Sequence, residues 1–290
     1  MVSVEFEYLC SLLRERSGIV LTSDKQNLAE NRLLSLARRF GLDSVSDLVR
    51  SLSRPDGEAR IVAVIEAMTT NETMFFRDKV PFAQFRDVML PRLLKARAGH
   101  RRLRIWCAAA SMGQEPYSIA MCLKERADEL AGWQIEILAT DLSTDALEYA
   151  KDGVYSQFDV QRGVPIRSLL QHFSKADHYW QISTELRSMV RFERFNLLDD
   201  FAGMGTFDVV FCRNVLVYFD PAIKIDVLER MSRVVGRDGY LVLGTGETAA
   251  GLTDRFQPSE DCDGLFAANP VAMIGSQVRA APHLVAVGGH

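Results

Sequence analysis

From residue 103 onward, short apolar runs alternate with helical stretches, and few folds accept that order. Leu103–Cys107, Gln134–Thr140, Phe207–Cys212 and Gly239–Gly244 read as strands. Between them, Pro116–Leu130, Thr144–Lys151 and Pro221–Val235 read as helices, with a proline at or near the start of two and Ser143 placed to cap the third. Such alternation predicts a parallel sheet covered by helices. Between Gly153 and Leu197 the alternation lapses. There Tyr179–Ile182 and Met189–Phe195 read as antiparallel strands of an inserted piece.

The first 85 or so residues carry a different period. Phe6, Leu9, Leu12 and Leu13 recur at helical spacing until Gly18 breaks the pattern. A second helix is expected from about Lys25 to Phe40, behind the cap residues Thr22, Ser23 and Asp24, and Gly41 closes it. A third starts at Asp43 and Ser44 and ends near the turn Arg54-Pro55-Asp56-Gly57. A fourth runs through Ile61, Val64, Ile65 and Met68. A basic stretch follows, with Arg86, Arg92, Lys95, Arg97, Arg101, Arg102 and Arg104 against the single acid Asp87. It reads as a connecting helix whose charge is either a solvated face or a binding surface. The expected organisation is a helical domain over 1–85, a basic linker helix over 86–102, a sheet domain over 103–280 with a β-insert at 153–195, and a flexible tail over 281–290.

A chain of 290 residues, 48% hydrophobic and 25% charged, can bury one large or two modest cores. A net charge of −4 offers no basic field for nucleic acid or a membrane surface. Five cysteines, an odd count without a CxxC pair, favour reduced thiols over disulfides or a structural zinc. No apolar stretch reaches the ~18 residues of a membrane span, and no basic leader precedes an apolar run. A cytoplasmic protein without membrane insertion and without metal is expected.

The strongest chemical signal is Ile105-Trp106-Cys107-Ala108-Ala109-Ala110-Ser111-Met112-Gly113-Gln114-Glu115-Pro116-Tyr117-Ser118. A strand ends in small residues and a helix begins, so a ligand can approach the backbone where open sheets bind ligands; tight strand–helix packing is the alternative. GxGxxG is absent, which argues against a nicotinamide or flavin oxidoreductase. Asp141 ends the next strand, where it can accept both hydroxyls of a ribose or cap the following helix. Asn196-Leu197 and Asn214 lie past two further strands, with Tyr218 close behind, and either Asn can equally make a turn. Outside the sheet, Thr69-Thr70-Asn71-Glu72-Thr73-Met74-Phe75-Phe76-Arg77-Asp78 is either a helix start with a core-facing Phe pair or a polar loop. In the second case Arg77 can grip a carboxylate with two hydrogen bonds.

Taken together, Thr70 to Arg77, Trp106 to Ser118, Ala139 to Ser143, Phe195 to Leu197 and Phe211 to Asp220 resemble the chemotaxis receptor methyltransferase family (CheR), in order and over roughly residues 1–275. The family's usual loop has two acids before the proline, and here the first is Gln114. The resemblance implies a small helical domain followed by a Rossmann-like class I methyltransferase domain with a small inserted antiparallel β-subdomain. It implies S-adenosylmethionine as cofactor, S-adenosylhomocysteine as product, and glutamates on the cytoplasmic helices of methyl-accepting chemotaxis receptors as acceptors. Asn71, Thr73 and Arg77 then lie beside the cofactor, Glu115 faces its methionine part, Asp141 its ribose, and Asn196 and Leu197 its adenine. Ala109 and Leu142 adjoin it, and Asn214, Val215 and Tyr218 border the transfer site, where Arg77 and Tyr218 orient the carboxylate. Arg32, Arg38 and Arg39 either face the acidic receptor or are solvated surface, and the protein is expected to be a monomer. Rival readings are a small-molecule methyltransferase and a signalling module that binds the cofactor without turnover.

Overall fold

The computed structural model describes residues 1–259, 262 and 264–269; the expected tail at 281–290 and the end of the 103–280 span lie outside them. The first four helices are α1 (Ser3–Ser17), α2 (Gln26–Arg39), α3 (Val45–Ser51) and α4 (Glu58–Met68). Gly18 ends α1 at φ +75°, a left-handed cap that glycine takes without strain. Ser44 caps α3 by accepting from the Asp47 N–H at 3.1 Å. Leu9, Leu13, Leu33, Leu48, Val64 and Met68 bury the helical stripes against one another in a core separate from the rest. Each such burial contributes about 1.5–3 kcal/mol.

The connecting segment is not a single helix starting near 86. It runs as α5 (Val80–Gln84), a π turn (Phe85–Met89) and α6 (Leu90–Ala96). Pro91 has no N–H to donate back, and the turn before it widens so that Leu90 donates to Phe85 instead. Phe82, Phe85, Met89, Leu90 and Leu93 are buried, so the segment is part of the core. Its charge answers acids of this same chain. Arg97 pairs with Asp208 at 2.8 Å and Asp238 at 2.6 Å, Arg104 with Glu136 at 2.7 Å, and Arg86 with Asp87 at 2.8 Å.

The sheet domain comprises β1 (Arg102–Ala108), α7 (Gln114–Lys124), β2 (Gln134–Asp141), α8 (Thr144–Asp152), β3 (Val154–Ser156), α9 (Gln157–Gln161), α10 (Ile166–His172), β4 (Phe173–Ala176), β5 (Tyr179–Ile182) and α11 (Thr184–Ser188). It continues through β6 (Val190–Arg194), β7 (Phe207–Cys212), α12 (Pro221–Val234), β8 (Val235–Leu243), β9 (Phe256–Pro258) and β10 (Leu265–Ala268). A seven-stranded sheet runs β6-β2-β1-β7-β8-β10-β9, with β10 antiparallel to both its neighbours and the other strands parallel to one another. The insert is a three-stranded antiparallel sheet, β3-β5-β4.

One expectation is corrected here. The run Met189–Phe195 is not an antiparallel strand of the insert. Its core, β6, pairs parallel with β2 from Ile137↔Val190 to Asp141↔Arg194. An alternating apolar/polar pattern marks a half-exposed strand but does not say which neighbour it joins or in which direction. The insert therefore ends before β6.

From β1 the chain winds outward through β2 and β6 on one side, then returns to lay β7 and β8 on the other. The reversal lies between β1 and β7, and a crevice opens outside their carboxyl ends.

Candidate functional site

A cleft of about 1000 Å³, counting the space at its mouth that is open to solvent, lies in that crevice. One wall is built by the strand tips: Ala109, Ala110 and Ser111 after β1, Asp141 and Leu142 at β2, Phe195, Asn196 and Leu197 after β6, and Arg213, Asn214, Val215, Tyr218 and Phe219 after β7. The facing wall comes from the helical part, with Ser17, Ile19, and Met68 to Thr73 plus Arg77; Glu115 of α7 closes the floor. Every position anticipated from the sequence lies on this one surface. Ser17, Ile19 and Met68 were not anticipated, because a helix end carries no mark of what the chain folds against it.

The tips are held in unusual backbone conformations. Ala109 (φ +60°), Ser111 (φ +51°) and Asn214 (φ +58°) are left-handed without being glycine. Strain of this kind, of order 1–3 kcal/mol per residue, persists where surroundings enforce it and clusters at functional sites. Gly113 (φ +89°) is required twice over, since a Cβ there would meet the Ala150 Cβ at 2.8 Å.

Asp141 does part of the enforcing. Its two carboxylate oxygens accept the Ser111 and Ser143 N–H groups, each at 2.8 Å. Burial raises its pKa above the ordinary aspartate range, and those backbone N–H groups oppose the rise. Ser143 caps α8 by accepting from the Ala146 N–H, so Asp141 is not itself the cap. Asn196 makes the turn that was one of its two readings, accepting from Leu198 N–H at 3.0 Å, and its amide donates to the Arg16 carbonyl at 2.8 Å. Glu247, absent from the sequence reading, accepts from the N–H groups of Asn214, Val217 and Gly244 and fixes the β7 tip.

The segment after α4 is a loop, not a helix start. The Phe pair splits: Phe75 is fully buried, while Phe76, at φ +50°, packs edge-on against Phe82 at 5.3 Å. The loop is stitched to the strand tips. The Asn71 carbonyl accepts from Ser111 Oγ at 2.9 Å, the Asn71 amide donates to Ser143 Oγ at 3.3 Å, and Phe76 N–H donates to Ser118 Oγ at 2.9 Å. From α4, Glu66 reaches across to accept from Ser143 Oγ and from the Thr144 and Asp145 N–H groups at the start of α8. Arg32 donates to the carbonyls of Met68 and Thr69 and to Thr70 Oγ1. Arg77 donates one hydrogen bond, to the Glu72 carbonyl at 3.1 Å, and pairs with no carboxylate among the described residues.

Two parts of the chain match one family: residues 4–69 its CheR methyltransferase all-alpha domain, and residues 71–263 its CheR methyltransferase SAM binding domain. The chain belongs to the CheR methyltransferase family. Chemotaxis protein methyltransferase 1 of Pseudomonas aeruginosa is 40% identical over 268 residues, covering 91% of this chain and 97% of that protein. Chemotaxis protein methyltransferase of Vibrio parahaemolyticus is 40% identical over 256 residues, covering 87% and 92%. That of Salmonella typhimurium is 34% identical over 256 residues, covering 87% and 86%. The chain is thus an S-adenosylmethionine-dependent methyltransferase of chemotaxis.

In this CheR methyltransferase the polar floor is an ion cluster that the sequence reading missed. Arg213, 5% exposed, donates to Glu115 at 2.8 Å, to Asp78 at 2.6 Å and to the Arg77 carbonyl at 2.9 Å, and its guanidinium lies 5.6 Å from the Phe82 ring. Burial pushes the Glu115 carboxyl up, and Arg213 opposes that shift. Glu115 therefore has a partner within the chain as well as a place on the wall. The signal in sequence was a lone arginine directly after a buried strand, where an arginine must find an acid. Gln114, where the resemblance leads one to expect a second acid, is 1% exposed and its amide has no protein partner among the described residues. An ionised carboxylate there would be a second buried negative charge beside Glu115.

Proposed function

We propose that this methyltransferase acts on glutamate side chains of chemotaxis receptor cytoplasmic helices, forming glutamyl methyl esters, and that cofactor and acceptor meet in the cavity at the sheet's switch point. One observation carries the reading: among the described residues the cavity presents one guanidinium, that of Arg77, without a carboxylate partner, Tyr218 lines the same cavity, and no histidine, cysteine or lysine does. A free glutamate, pKa ~4.3, is ionised near neutral pH, so it needs an orienting cation rather than a general base.

The lining fits the cofactor. Asp141 offers lone pairs to ribose hydroxyls, Leu142, Asn196 and Leu197 offer a mostly apolar slot for an adenine, and the floor at Glu115 suits the ammonium group of a zwitterionic amino-acid end. Asn71, Thr73, Ala109, Asn214 and Val215 complete the enclosure. When bound, S-adenosylmethionine supplies an electrophilic methyl on a sulfonium, and displacement by a carboxylate oxygen leaves S-adenosylhomocysteine. Arg77 and Tyr218 hold the acceptor carboxylate in line. Alignment of the acceptor oxygen with the methyl can supply up to ~7–11 kcal/mol of the barrier. Of the basic residues read either as a receptor face or as solvated surface, Arg32 is committed to the chain after α4, whereas Arg38 and Arg39 stay exposed and are the ones left to meet acids. No helix among the described residues is long and apolar enough to cross a membrane. A cytoplasmic monomer accords with the reading.

Labelled cofactor incubated with receptor-containing membranes is expected to give label that leaves as volatile methanol in alkali. Base-stable label, as from an N-methyl product, would overturn the acceptor assignment. For the ribose site, Asp141→Ala is expected to weaken S-adenosylhomocysteine binding about 10–100-fold in calorimetry, the cost of one charged hydrogen-bonding group. The wild-type affinity should also fall on acidification. The ionised form binds and its pKa is raised, so the fall begins at a pH above the ordinary aspartate range. Undiminished affinity in the variant would remove Asp141 from the site.

A further inference from the structure

The insert leaves an apolar face bare. Leu170 is 74% exposed, Ile166 70% and Phe158 64%; among large apolar side chains of the described residues only Val4, at 75%, is barer. Ile166 and Leu170 stand one turn apart on α10, and Phe158 on α9 lies under the Arg162 guanidinium, 5.2 Å from its ring. Three large apolar side chains bared together within residues 158–170 are a candidate interaction surface.

Its position ties it to the cavity. Gly163, between α9 and α10, lies so close to the 69–79 loop that a Cβ there would stand 1.8 Å from the Phe75 carbonyl oxygen. Arg162 reaches Glu72 on the cavity wall at 3.5 Å. The face therefore continues outward from the loop that carries Arg77. Its charge is positive. Over residues 157–172 the acid Asp159 is held by the Ser156 N–H and hydroxyl and Arg162 is shared with Glu72, while Arg167 is exposed and makes no ion pair among the described residues.

We propose that this face, formed by Phe158, Ile166 and Leu170 with Arg162 and Arg167, docks the substrate: an α-helix bearing apolar residues at i, i+4 spacing flanked by carboxylates. The proposal rests on the reading that glutamates on helices are the acceptors. The cavity takes one side chain, but a helix is ~10 Å across and must lie over the mouth, resting on whatever adjoins it. The adjoining surface is apolar and cationic, which complements an amphipathic acidic helix and not a basic or purely polar one.

The test replaces Phe158, Ile166 and Leu170 together by Ser, with Arg167→Glu as a separate variant. These side chains are exposed, so the melting temperature should hold. With a receptor cytoplasmic fragment as substrate, KM is expected to rise about tenfold or more in the triple variant, with kcat at saturation within about twofold and S-adenosylhomocysteine affinity unchanged. Arg167→Glu should raise KM less, and the wild-type KM should rise with salt. A KM within about twofold of wild type in the triple variant overturns the proposal. So does a dimer in sedimentation that the triple variant dissolves without any change in KM, since the face would then join two copies. Failure of the wild type to form base-labile esters, with cofactor binding intact, would instead defeat the glutamate reading, and the docking proposal with it.

Discussion

Arg77→Ala is expected to lower kcat/KM for receptor methylation about 10²-fold, the consequence of losing the group that binds and aligns the acceptor carboxylate. Cofactor affinity should weaken far less, within about tenfold, because Asp141 and the strand tips remain in place. The asymmetry is the informative part. The guanidinium donates one hydrogen bond, to Glu72, and so stands available for an acceptor carboxylate. Arg77→Lys keeps the charge and loses the planar fork, and should fall between wild type and alanine. Single-turnover transfer at saturating cofactor, with calorimetry of S-adenosylhomocysteine alongside, makes the measurement. An alanine variant that transfers at the wild-type rate would remove Arg77 from the mechanism.

Arg213→Met is expected to cost about 3–5 kcal/mol of stability, because Glu115 would keep its burial and lose its counter-charge. At roughly 2–4 °C per kcal/mol for a large domain, melting should drop by about 6–20 °C. The sign of the pH dependence follows from Glu115, whose pKa is raised by burial. An acid with a raised folded-state value ionises first in the unfolded chain, so its contribution worsens as pH rises past its unfolded value. Without Arg213 to oppose that shift, the deficit should widen from acid to neutral pH. Arg213→Met combined with Glu115→Gln should recover more than half the loss, because the uncompensated charge is gone. A single variant that melts like wild type, or a double variant that melts below it, would contradict this account.

Much of the fold was legible because periodicity and punctuation agree. Phe207–Cys212 and Tyr179–Ile182 have the bounds their apolar runs indicate, Ser143 and Ser44 cap where capping residues precede helical runs, and Gly18 ends α1. The run at 189–195 was misplaced because alternation reports a strand's exposure and not its partner. β3, β4, β9 and β10, each three or four residues long, went unread, because at that length alternation gives little signal, although β5 of similar length was read. The basic stretch was ambiguous for a related reason: Arg97 and Arg104 find Asp208 and Glu136 about a hundred and about thirty residues away. The site was legible where chemistry sits at a strand tip, as at Asp141, Asn196 and Asn214. Glu66, Glu247 and Arg213 escaped because each acts through backbone groups or acids remote in sequence.

By itself the sequence determined the two-part organisation, the helix-covered parallel sheet and the residue types at its strand tips. These are local matters, decided by side-chain period, caps and turns within a few residues. Tertiary structure decided which edge received β6, how α1 and α4 close the cavity, and which charges are paired and which remain available for a ligand. Those outcomes depend on groups brought together from far along the chain, and no local spacing records them.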